Sequence, residues 1–408
     1  MKNIGWLLIV LMIIACDRDP KFPKSGSWRA ELELDKGRVI PFNFEYQDGN
    51  TMIIQNADER IEVNNITLKG DSIIIEHPVF EGVFKGIYTE DSIYGTFIKP
   101  SLDRVVPFTM RQGRAERFDV AEAPNAVVTG IWETVFSPNS EADRYIAKGI
   151  FEQKGHRVTG TFRTTTGDYR YLDGSVEGDS LRLSTFDGAH AFLFEAKVTD
   201  SVMEGLFYSG NHWKEPFTAK RNEEFELPAA DSLTFLKEGY DKVKFSFPNT
   251  DGEMVTLEDE RFQDKVVLIQ IMGTWCPNCL DETKYYTQYY KDNSEEPFEI
   301  VSLAFEYAPT KEKAMAAINK FKKAVEVPYP VLLAQFGTSS KTKANEKLPM
   351  LNHVLSYPTT IFIDKNGTVR RIHTGFNGPA TGEKYDEFVK EFEAFMKKLL
   401  EEEKRTVN

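Results

Sequence analysis

Three cysteines stand in this chain, and their surroundings point to two kinds of chemistry. Cys276 and Cys279 lie in the run Trp275-Cys276-Pro277-Asn278-Cys279, while Cys16 directly follows a short apolar N-terminal segment. The attacking species in sulfur exchange is the thiolate, and free cysteine ionises near pH ~8.5, so a reactive thiol needs its negative charge stabilised. The sequence places Cys276 at or just before the first turn of a helix, where unpaired N–H groups and the helix dipole favour an anion. Pro277 at the first helical position gives up no hydrogen bond. Cys279 follows one turn later on the same side, close enough to close a disulfide. This reading makes Cys276 an exposed nucleophile and Cys279 the resolving thiol, with Cys276–Cys279 as a redox-active disulfide. The alternatives are a zinc site or two buried structural cysteines. Zinc needs two further Cys or His ligands at short spacing, none is nearby, and neither metal nor cofactor is expected.

The elements that must hold this pair come from a chain of 408 residues, long enough for two or three domains. A hydrophobic content of 41% supplies packed interiors. The formal charge of −13 argues against nucleic acid and against an anionic membrane surface.

Before Cys16, the stretch Ile4 to Ala15 is too short to cross a bilayer, which takes about 20 residues. It suits the apolar region of a secretory signal. Ile13-Ile14-Ala15-Cys16 resembles a bacterial lipoprotein signal site, although Ile13 and Ile14 depart from the favoured residues. The resemblance implies a signal peptide over 1–15, acylation of Cys16 and stable membrane anchoring. Residues 16–25 then read as a solvated tether.

Next comes an internal repeat. Gly70-Asp71-Ser72-Ile73 recurs as Gly178-Asp179-Ser180-Leu181, and Asp91-Ser92-Ile93 through Pro107-Phe108-Thr109 recurs as Asp200-Ser201-Val202 through Pro216-Phe217-Thr218. Each copy opens on a Gly-x-Trp element, at Trp28 and Trp132. Alternating apolar residues and Asp-Gly or Gly-Asp turns predict two tandem antiparallel β units, sandwiches or small barrels, over 26–113 and 128–222. They serve as a client-binding or dimerising module, or as a spacer; neither copy carries a cluster with metal spacing. Residues 223–242 read as a linker.

From 243 to 404 strands alternate with helices, the signature of an α/β sheet. The fold class is therefore multidomain, a C-terminal α/β unit preceded by two tandem all-β repeats. Strand, Trp275-Cys276-x-x-Cys279, helix and the later Tyr357-Pro358-Thr359 resemble the thioredoxin fold. More closely, they resemble the TlpA-like (ResA-type) redoxin family of membrane-tethered thiol–disulfide oxidoreductases in bacterial envelopes, over about residues 240–404. The resemblance implies that Pro358 is a cis-proline facing the disulfide, and that Trp275, Tyr357, Pro358 and Thr359 bind substrate. Where thioredoxins carry a proton-shuttling Asp this chain has Gln270, which cannot take a proton. The family's alternative Glu after the next strand corresponds to Glu306, a catalytic candidate that would accept the proton of Cys279.

The expected function is a lipid-anchored reductase of disulfides in envelope proteins, fed by a membrane electron donor. An oxidase or isomerase would use the same residues, with direction set by reduction potential. A peroxidase is a third reading, but its Pro-x-x-x-Thr-x-x-Cys run is absent, with Ile269 and Gly273 at the corresponding positions. A non-enzymatic alternative is a surface lipoprotein that binds through its β repeats.

Overall fold

A computed structural model describes residues 22–404 apart from 36 and 49. Cys16, the signal segment and most of the tether lie outside the described residues.

The first β unit runs from Gly26–Asp35 to Arg104–Gln112 as an antiparallel meander of nine strands. Its last strand pairs back on its first, from Trp28↔Gln112 to Leu32↔Phe108. The strands Glu59–Val63 and Asn65–Lys69 are separated by Asn64 alone; the first pairs with Thr51–Asn56 and the second with Ser72–Glu76. One bent segment thus carries the sheet round its corner. The second unit, from Gly130–Phe136 to Trp213–Arg221, closes completely, because each of its eight long strands is bonded on both sides. Closure removes the open edges that would otherwise invite pairing with another chain. Period-two burial sets the register: Ile73 and Ile75 point inward while Ser72, Ile74 and Glu76 face out.

The repeat extends to side-chain detail. Trp28 Nε1–H donates to the Lys24 carbonyl and Trp132 Nε1–H to the Val128 carbonyl, four residues upstream in both copies. The barrels pack together. Phe186 of the second stacks on Phe42 of the first at 4.3 Å, and Arg117 between them donates to Asn56 Oδ1 and the Ser184 carbonyl.

The C-terminal unit is a five-stranded sheet in the order Val331–Gln335, Phe298–Phe305, Val266–Met272, Thr359–Ile363, Val369–Thr374. The first three strands are parallel and the last two antiparallel. All seven residues of the central strand are buried, as a sheet covered on both faces requires. Its helices are α1 (Pro277–Asp292), α2 (Lys311–Val325), α3 (Lys341–Lys347) and α4 (Glu383–Glu401). On α4, Phe388, Phe392, Met396 and Leu399 form the buried stripe, and Phe392 packs on Tyr285, Tyr286 and Tyr289 of α1.

Residues 223–242 do more than link. Asp231 takes Arg371 Nε at 2.5 Å and His373 Nδ1 at 2.8 Å, which pins the segment against the last strand.

Candidate active site around Cys276 and Cys279

Cys276 caps α1. Its Sγ accepts the Cys279 N–H at 3.3 Å, using one of the unpaired donors at the helix start. Its own S–H points at the Tyr357 carbonyl, 3.5 Å away. The Tyr357–Pro358 peptide is cis. Both cysteines are free thiols. Burial holds the Cys279 thiol well above the usual range, and the neighbouring Cys276 sulfur adds to the shift.

The sequence presents Cys276 as exposed, and here the structure differs: Cys276 is 7% exposed and Cys279 fully buried. A loop of the second barrel lies against the CxxC turn: the Asp168 carbonyl accepts Asn278 Nδ2–H and Arg170 donates to the Pro277 carbonyl.

Trp275 lies beside the pair. Its Nε1–H donates to the Phe305 carbonyl at 2.9 Å, and its ring meets Tyr307 and Tyr357 at 5.5 and 5.6 Å. Tyr357 is buried against Phe305 as well. Thr359 is fully buried, with its hydroxyl on the Ser356 carbonyl at 2.9 Å, so it braces the turn.

Glu306 is 2% exposed, and burial raises its pKa to about 7. Its carboxylate accepts Thr274 N–H and Thr274 Oγ1–H, each at 2.8 Å. The group therefore clamps the turn leading into Trp275, and these hydrogen bonds go to Thr274 and not to a sulfur.

A second buried carboxylate was not singled out from the sequence. Glu282 follows Cys279 by one helical turn, is fully buried, and has a pKa raised to about 7 by desolvation. Gln270 Nε2–H donates to it at 2.8 Å, Thr360 Oγ1–H at 3.1 Å and Tyr286 O–H at 3.2 Å. Its charge raises the Cys279 pKa further. Gln270, unable to carry a proton itself, thus orients a group that can. The signal was a carboxylate three residues after Cys279, on the helix face that bears it.

Among the described residues no group of three or more His, Cys, Asp or Glu is placed to hold a metal ion.

Comparison with known proteins agrees with this geometry. Residues 237–388 match the Redoxin family model. The thioredoxin-like protein YneN of Bacillus subtilis is 27% identical over 140 residues, covering 34% of this chain and 73% of that protein. The thiol-disulfide oxidoreductase ResA of Halalkalibacterium halodurans is 22% identical over 162 residues, covering 38% and 80%. Among solved structures, a thiol-disulfide oxidoreductase from Bacteroides fragilis aligns at 22% identity and a TM-score of 0.27, over 36% of this chain and 99% of that one. Residues 237–388 are therefore a Redoxin-type domain of thioredoxin-like fold, similar to thiol-disulfide oxidoreductases, and Cys276 and Cys279 lie within it.

Proposed function

We propose that this protein reduces disulfides in extracytoplasmic proteins from a lipid anchor at Cys16. The observation that carries the redox reading is Cys276 Sγ at the N-terminus of α1, accepting the Cys279 N–H, with Cys279 buried beside it. The Cys276 thiolate attacks one sulfur of a client disulfide; the client S–S bond breaks, a mixed disulfide forms and one client thiolate leaves. Cys279 then loses its proton and attacks Cys276 Sγ, closing the internal disulfide and releasing the second client thiolate. Two electrons pass to the client, whose sulfurs take up two protons. A membrane dithiol donor restores the pair by the reverse exchange.

Glu282 is the group best placed to take the Cys279 proton. It is one turn away, and a pKa of about 7 lets it accept and release a proton near neutrality. The reductive direction is supported by the similarity to the ResA and YneN proteins over the C-terminal domain. The lipid anchor is supported by the apolar stretch ending at Ala15-Cys16.

A redox titration tests direction. A potential near thioredoxin's roughly −270 mV supports a reductase, and one near DsbA's roughly −120 mV overturns that reading. Cys279→Ser should trap clients as mixed disulfides while Cys276→Ser traps none. Cys16→Ala should move the protein from the detergent phase to the aqueous phase if the anchor is real.

A further inference from the structure

The face on which a client must lie is already occupied. Three segments of the redox domain converge on the cysteine pair: Gly273–Asn278, Ser356–Pro358 and Gly375–Gly378. Residues 164–170 of the second barrel, a flap held by the short pairing Thr164↔Gly167 and Arg163↔Asp168, touch all three. Ser356 Oγ–H donates to the Thr166 carbonyl at 2.7 Å, immediately before Tyr357–Pro358. Asn278, between the two cysteines, donates from Nδ2 to the Asp168 carbonyl at 3.1 Å. Gly378 N–H donates to Asp168 Oδ2 at 2.7 Å. The approach is so close that a Cβ on Gly375 would sit 2.8 Å from the Thr166 backbone. A Cβ on Gly167 would sit 2.2 Å from Asn278 Nδ2, and its φ of +144° already favours glycine.

Arg170 locks the flap's far end. Its Nη1–H groups reach the Pro277 carbonyl at 3.2 Å and the Asp281 carboxylate, and its guanidinium also meets Glu59 and Asp187. These residues come from both barrels and from α1, so the contact is built by all three units.

We propose that the 164–170 flap is an internal occupant of the client groove and determines which disulfides are reduced. Its carbonyls take side-chain donors of the redox domain that an extended client would otherwise use. A bulky protein disulfide reacts only when the flap lifts, whereas a slim disulfide reaches the 7% of Cys276 left exposed without displacing it. The inference rests on the redox reading above.

The test compares insulin with hydroxyethyl disulfide as substrates of the full chain. Gly167→Ala drives the flap off Asn278, and Asp168→Ala, a change on the flap itself, removes its bond to Gly378 N–H. Loss of one or two such contacts should raise insulin reduction about tenfold. The rate with hydroxyethyl disulfide should stay within about twofold. A parallel rise with both substrates, or no change with either, overturns the proposal. Should Gly167→Ala fail to fold, Asp168→Ala carries the comparison. A second measurement uses Cys279→Ser protein trapped on a cysteine-containing peptide. Amide hydrogen exchange across 164–170 should accelerate at least about tenfold, and unchanged protection overturns the proposal. A wild-type protein that reduces neither substrate would fail the redox reading itself, a result distinct from a flap without selectivity.

Discussion

Replacing Glu282 with Gln tests the buried carboxyl directly. Burial raises its pKa from 4.5 to about 7, so the folded chain keeps this proton where the unfolded chain has released it. The stability it contributes is fully present below about pH 4.5 and is lost as pH rises through about 7. At ~1.4 kcal/mol per pH unit, that interval is worth about 3 kcal/mol. Gln keeps the shape and one acceptor oxygen for Tyr286 and Thr360, but its amide faces that of Gln270, a pH-independent cost of about 1–3 kcal/mol. Urea denaturation from pH 4.5 to 7.5 should therefore show Glu282→Gln less stable by about 1–3 kcal/mol at the acid end, with wild type losing about 3 kcal/mol relative to it as pH rises, so that the gap closes or reverses. Parallel curves would refute the reasoning, because they would mean that the carboxyl ionises in the fold without penalty. The same change should act on sulfur. In a Cys276→Ser background, alkylation of Cys279 should shift to lower pH, since a neighbouring negative charge is gone.

Glu306→Gln should slow disulfide exchange evenly across pH by loosening the Thr274 turn, and a displaced pH profile would instead make Glu306 the proton acceptor. Phe162→Ala, in the fully buried aromatic cluster of the second barrel, should cost about 3–5 kcal/mol by urea denaturation. Thr310→Ala removes the cap bond to Lys313 N–H at the start of α2 and should cost about 1 kcal/mol in the same assay.

The place of Cys276 at the head of a helix was legible because its signals are local. A CxxC run with proline at the first helical position says where the helix begins, and the observed α1 starts at Pro277. The repeated turns and alternating apolar residues likewise set strands and register in both β units, since side-chain direction follows a period of two. Glu282 was less legible: in the run Asp281-Glu282-Thr283 it looks like any solvated helix residue, and only packing of α1 on the strand bearing Gln270 buries it.

The flap was not legible at all. Thr166, Asp168 and Arg170 sit in an ordinary polar turn, and their partners Ser356, Gly378, Asn278 and Asp281 lie more than a hundred residues away. No period or turn propensity encodes such a pairing, because it depends on how three closed surfaces meet. By itself the sequence determined where α1 begins and that Cys276 and Cys279 stand at its first turn. The tertiary structure decided how far Cys276 is covered, which carboxylate stands beside Cys279 and what occupies the groove. Burial and desolvation are sums over neighbours distant in the chain, and they exist only once the units have packed.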